Sequence, residues 1–244
     1  MKKIKILCVA LLVLSQLSFS QKKKIAVVTF YANKMISFED LGLGVDILLG
    51  DVLKLRDDPN FNLNPILKQY HNNFFNSYSK ELPFDLLPES EVLNNEVYQA
   101  FIPKYNLPNF AKNNFLTIDK YKYIYEGVGG KVNEEGIAKI FADKADGVMF
   151  INIDFAMEKG FGVGSTSTVK VRATTRMALY NKNGEKVFAF SESERSKKTA
   201  LMVSGIPIMS PEKILPMCES ALTELMGDLG KRIAKIVKKT EMKL

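Results

Sequence analysis

ADGVMFINIDF, residues 145–155, is the stretch on which the reading of the fold rests. Val148 to Ile151 is apolar at every position, and the run follows directly on a segment of helical periodicity. A short apolar run of this kind is a strand buried on both faces, and therefore the centre of a sheet. Upstream, Asn133 is placed to cap a helix, Glu134 and Glu135 suit its positive first turn, and Ile137, Ile140 and Phe141 share one side. Downstream, Met157 to Gly164 reads as a glycine-punctuated link. Clean alternation follows, with Val169, Val171, Ala173, Met177 and Leu179 on one face and Lys170, Arg172, Thr174 and Arg176 on the other. Asn181-Lys-Asn-Gly184 turns the chain back as Val187 to Ser193. With Met177 and Leu179 beside Phe188 and Phe190, the basic residues must share the outer face with Ala189, Ser191 and Ser193.

Working outward, IAVVTF (residues 25–30) is short, β-branched and apolar, and predicts a first buried strand. Leu43, Ile47, Leu48, Val52 and Leu55 lie on one helical face, which ends at Asp57-Asp58-Pro59. Between Pro59 and Glu81, Asn-rich sequence alternates with aromatics. A helix from Pro65 puts Ile66, Tyr70, Phe74 and Tyr78 on a core-facing stripe. LPFDLL (residues 82–87) reads as a second strand, and Ser90 as the N-cap of a helix turning Val92, Leu93, Val97 and Phe101 inward. Pro103 to Gly130 is an elaboration with at most short elements. Glu194 to Met209 reads as a loop of mixed charge. Ser210 and Pro211 then start a long helix with Ile214, Cys218, Leu222, Leu225, Leu229, Ile233 and Ile236 on one side, and a basic C-terminal end.

The chain begins with a basic segment, an apolar run from Ile6 to Leu14 and a small-residue site at Ser18-Phe-Ser20, the layout of a secretory signal cleaved after residue 20. Cys8 lies inside the apolar run rather than at the cleavage point, which argues against a lipid anchor. The chain has 34 Lys and Arg against 27 Asp and Glu. Three of the lysines belong to the signal, so the mature charge is about +4, a balance that does not call for nucleic acid. Cys218 is the single mature cysteine, so no internal disulfide forms, and His71 is the single histidine. Together they fall short of the four ligands of a structural zinc site. Asp57-Asp58 and Glu134-Glu135 are adjacent pairs rather than a spaced loop of oxygen ligands. Val163-Gly-Ser-Thr-Ser-Thr168 fails the spacing of a nucleophile elbow, and His71, among asparagines, reads as a solvated or capping residue. Gly160-Phe-Gly-Val-Gly164 leads into a strand rather than a helix, and so lacks the N-terminus that would hold phosphate.

The expected fold class is α/β: a single domain over residues 21–244 with elaborations at 59–81 and 103–130. Its sheet is mixed, of about four to six strands, with a C-terminal antiparallel hairpin and packing helices that include a long C-terminal one.

Three passages carry a family resemblance. KKIAVVTF opens the domain; LPFDLLPESEVLNN follows with Ser90 at the family's serine; ADGVMFINIDF is followed by VRATTRMALYNKNGEKVFAFS. The pattern resembles the envelope-protein group that contains the curli-secretion channels, the N-terminal domain of TolB and the penicillin-binding-protein activator LpoB. The resemblance implies a non-enzymatic role in docking, activation or secretion.

Lys170, Arg172 and Arg176 are the one constellation that suggests binding, as a docking stripe for an envelope protein or an anionic surface. The reading is an exported, periplasmic or outer-membrane-associated docking module with no cofactor. Peripheral membrane contact and homo-oligomerisation are compatible with it. The alternatives are an oligomeric outer-membrane channel, built by extending the Met157–Lys170 link into a barrel hairpin, and a carboxylate-dependent hydrolase. The channel needs roughly 9 to 11 alternating residues per strand. Phe155 to Gly164 is too short and too glycine-rich for two such strands.

Overall fold

The computed structural model describes residues 22–38, 41, 54–105, 108–127, 131–163, 166–204, 206–232, 236–238 and 240. The signal segment and the helix expected over residues 43–55 lie outside them, apart from the end of the latter, where residues 54–57 are helical.

The stretch at 145–155 lies in strand β4 (Gly147–Val163), which sits between β1 (Lys24–Asn33), parallel to it, and β5 (Thr166–Asn181), antiparallel to it. The outer edge of β1 is completed by two short strands laid end to end, β2 (Asp85–Leu86) and β3 (Phe115–Thr117). β6 (Lys186–Arg195) and β7 (Ala200–Val203) share the outer edge of β5 in the same way, and β8 (Ile206–Pro207) pairs with β7. Among the described residues the result is one mixed sheet of eight strands, five of them four residues or longer. The protein is α/β, with the β4–β5–β6 meander and a long closing helix as expected.

Alternation along β5 sorts its side chains as the sequence requires. Val169, Val171, Ala173, Thr175, Met177 and Leu179 are fully buried on the first face, and the alternate residues Lys170, Arg172, Thr174 and Arg176 are partly exposed. The first face packs under α1 (Asn64–Asn76) and α6 (Pro211–Leu229). α1 buries Ile66, Tyr70 and Phe74, and Tyr78 follows in a 3-10 turn, Tyr78–Glu81. α6 buries Ile214, Cys218, Leu222, Leu225 and Leu229 along one side, and tolerates Pro216 in its second turn, where few hydrogen bonds are lost. The second face carries Ala26, Val28, Val148, Phe150, Ala178 and Tyr180. It is covered by α2 (Glu89–Leu93), α3 (Glu96–Ala100) and α5 (Val132–Phe141), which bring Val92, Tyr98, Ile137 and Phe141 against it. This cover stops halfway along the strands.

Several local expectations are corrected. The helix predicted from Ser90 breaks at Asn94-Asn95, and Asn95 recaps α3 by accepting from the Tyr98 N–H. The break turns the helix, so Tyr98 is buried and Val97 is 63% exposed. Asn133 lies inside α5 rather than at its cap, and its side-chain amide donates to the carbonyls of Lys104 and Tyr125. LPFDLL supplies only the two residues of β2. Ser210 holds the N-cap position of α6 without a side-chain hydrogen bond.

The glycine-punctuated link is strand. β4 continues through it to Val163, with a bulge between Lys159 and Gly162. A Cβ at Gly160 would meet Thr168 and one at Gly162 would meet Ser167, so these glycines permit close pairing rather than looseness. The segment read as a loop from 194 to 209 contains β7 and β8, whose alternation buries Ala200 and Met202 and exposes Leu201 and Val203.

Candidate functional site

The helical cover of the second sheet face ends at Phe150, Ala178 and Ala189; beyond it Ala156 and Glu158 are still buried by their neighbours, while Lys170, Arg172, Thr174 and Arg176 are partly exposed. Cross-strand pairs share a face, so the register defines what the uncovered half presents. The row beyond the helices is Asn152, Arg176 and Ser191; the next is Asp154, Thr174 and Ser193; then come Ala156, Arg172 and Arg195, followed by Glu158 and Lys170. The three predicted stripe residues therefore lie on one face, over the small side chains Ser191 and Ser193, as the alternation requires.

The stripe is not a bare row of cations. Arg172 donates to Glu158 at 2.5 Å, and Arg195 meets the other oxygen of the same carboxylate. Arg176 is ion-paired with Glu126, which also accepts from the Tyr180 hydroxyl at 3.0 Å. Asp154 lies between these pairs and accepts from the Asn152 side chain at 2.6 Å. Burial raises the Asp154 carboxyl above its usual range, and hydrogen bonds from Asn33 and Asn152 offset this only in part. Beside it stands an aromatic cluster in which Phe115 stacks on Tyr123 at 4.1 Å and Tyr31 meets Tyr123 edge-on at 4.9 Å. Of the three alternate tyrosines, Tyr121 is buried, Tyr123 half-buried and Tyr125 exposed.

Toward the outer end of the same face the chemistry changes. Val163, Thr166, Val203 and Ile206 form one row across β4, β5, β7 and β8. In the row behind it, Thr168 pairs with Leu201, whose carbonyl accepts from the Ile208 N–H. Val163, Leu201, Val203, Ile206 and Ile208 are 46–75% exposed, and Phe161 nearby reaches 82%. The strand extension past the Glu158–Lys170 pair amounts to five residues, Lys159–Val163.

Sequence reasoning placed Lys170, Arg172 and Arg176 on a common face but missed Glu126, Glu158 and the apolar rows. The signal for the latter was the two-residue period of Ala200 to Val203, too short to stand out beside the charges around it. His71 is also corrected. It is half-buried edge-on to Phe30, and its Nε2 lies 2.7 Å from Glu89 Oε1, to which the Tyr121 hydroxyl donates at 2.9 Å. Among the described residues no three His, Cys, Asp or Glu groups gather as a metal site, and no helix is long and apolar enough to cross a membrane.

No family model matches the chain, and no curated protein matches it. Among solved structures, a lipoprotein from Neisseria meningitidis superposes with a TM-score of 0.35 at 14% identity, over 87% of this chain and 99% of the other. A neuraminyllactose-binding hemagglutinin homolog from Helicobacter pylori gives a TM-score of 0.37 at 12% identity, over 91% and 93%. Likeness at this level says nothing about function, and it does not establish the family suggested by the sequence motifs.

Proposed function

We propose that the protein is a non-enzymatic docking module, exported to the cell envelope, that binds another envelope protein through the uncovered half of its second sheet face. The observation that carries this reading is the exposed apolar end of that face, where Val163, Val203 and Ile206 share one cross-strand row. Contiguous exposed apolar surface rimmed by polar groups marks interaction sites. The partner covers the apolar rows and sets acidic groups against Lys170, while the Arg172–Glu158–Arg195 and Arg176–Glu126 pairs hold the face in shape. The geometry favours this over the channel, whose hairpin would need strands of roughly nine to eleven residues to span a bilayer.

Internal pairing of the arginines also decides the test. Reversing all three stripe charges would place carboxylates against Glu126 and Glu158 and disturb folding. Substituting the apolar row avoids this. A photo-crosslinking residue at Leu201, used in cells, should give a discrete adduct with one envelope protein, and Val203→Asp with Ile206→Asp should remove it while the far-UV circular dichroism stays unchanged. Adducts only with lipid or with a second copy, or an adduct that survives the double substitution, would overturn the reading.

A further inference from the structure

The exposed apolar end of the second sheet face has a shape as well as a composition. Its rows run across the strands, with Val163, Thr166, Val203 and Ile206 on the outside and Thr168, Leu201 and Ile208 behind them. From β4 to β8 is three strand spacings, about 14 Å, while successive rows on one face lie about 7 Å apart. The next row inward is charged, with Glu158 opposite Lys170. The apolar surface is therefore a strip that is long across the strands and only two rows wide.

The width and the edge of this strip limit what can cover it. A strand added beside β8 would need donors along that edge. The Ile208 N–H donates to the Leu201 carbonyl, so these two residues face each other as a bonded pair and residue 207 turns its backbone outward. That residue is Pro207, which has no N–H, so the edge offers a further strand only a carbonyl. A second sheet packed face to face would need an apolar face several rows deep, and the Glu158–Lys170 row stops this one after two. An α-helix fits. With side chains it is about 10 Å across, enough for two rows, and at about 5.4 Å per turn it crosses the strip in under three turns.

The charge beside the strip has one sign left over. Arg172 and Arg195 engage the two oxygens of Glu158, whereas among the described residues no carboxylate pairs with Lys170, which is partly exposed on the same face. A cation bordering an apolar strip is matched by a carboxylate on the flank of whatever covers it.

We infer that the docking partner lays one amphipathic helix across this strip. Its apolar residues, three and four apart, meet Val163, Leu201, Val203, Ile206 and Ile208, and an acidic residue on its inner flank meets Lys170. The helix presupposes the docking reading above and specifies the partner's form.

The experiment extends in-cell crosslinking of the full-length exported chain to three positions, Val163, Leu201 and Ile206. Each carries the photo-crosslinking residue in turn, and mass spectrometry locates the attachment site in the partner. A helix rises about 1.5 Å per residue, so the sites reached from Val163 and Ile206 should lie about 7–11 residues apart in one segment, with the Leu201 site between them. An extended segment, at about 3.3 Å per residue, would place them about four apart. Lys170→Glu should lower the adduct yield from Leu201 by about tenfold, and Lys170→Arg should hold it near the parent, both with unchanged circular dichroism. A protein adduct whose end sites lie about five residues apart or closer, or in separate segments, would overturn the helix and leave the docking reading in place. Full yield from folded Lys170→Glu would overturn the acidic flank. No protein adduct from any of the three positions would overturn the docking reading itself, and the helix with it.

Discussion

The hydroxyl of Tyr98 donates to the carbonyl of Val28 at 2.8 Å, at the point where β1 slips out of register with β4, between Val27 and Thr29. The same oxygen accepts from the Lys122 N–H at 3.0 Å. A bulge leaves a backbone group without its ladder partner, and here a buried side chain from α3 supplies it. Tyr98→Phe keeps the ring and orphans both backbone groups. It should lower stability by about 1–3 kcal/mol. Urea unfolding would show this as a lower midpoint at unchanged slope.

Glu89 should make stability sensitive to acid. Burial alone would raise its carboxyl, but the hydrogen bond and charge of His71 and the hydrogen bond from Tyr121 outweigh it and hold the group below its usual range. Its stabilising contribution is therefore complete above the ordinary carboxylate range and is lost as pH falls through the lowered value. Glu89→Gln should be less stable than the parent at neutral pH, and the gap in urea midpoint should close on acidification. An equal gap at both ends would make the effect one of packing.

Asp154 should behave in the opposite sense. With its carboxyl raised by burial, the folded state favours the protonated form, so the group is tolerated best at low pH and carries a penalty once pH rises through the raised value. Asp154→Asn should raise the melting temperature at neutral pH and leave it unchanged in acid. Thermal scans at the two pH values test the sign directly.

Cys218 is fully buried in α6, and burial pushes its thiol well above the ordinary range. Thiolate is the reactive form, so a thiol reagent should modify the native chain only as fast as it opens. Labelling in native buffer should track the unfolding rate, and immediate reaction would mean that α6 leaves the sheet on its own.

What the sequence made legible follows from periodicity. β1, β4, β5, α1 and α6 carry runs long enough for one period to dominate, and their buried residues match the stripes read from them. Val97 and Tyr98 show where this fails: a two-residue break at Asn94-Asn95 rotates the following helix, and a pattern read across the break points to the wrong neighbour. Gly160 and Gly162 show a second kind of failure, because glycine is as much a signal of close strand approach as of a link, and only the partner strand distinguishes the two. At the candidate site, alternation put Lys170, Arg172 and Arg176 on one face. Their carboxylate partners are distant in the chain or on the adjacent strand, and no spacing rule connects Arg176 with Glu126.

The position of β1 has a consequence for how the chain assembles. Among the described residues the ladder partners of the first strand all lie far along the chain, at 85–86, 115–117 and 147–153, and the bond from Lys24 to Asp146 spans 122 positions. The β4–β5 and β5–β6 hairpins, by contrast, need only their own turns. The hairpins close short loops and the parallel β1–β4 pairing closes a long one, so pairing of β1 carries the larger loop-closure cost. A newly made chain therefore carries its first strand without its longest partner, β4, until residues past 147 have emerged.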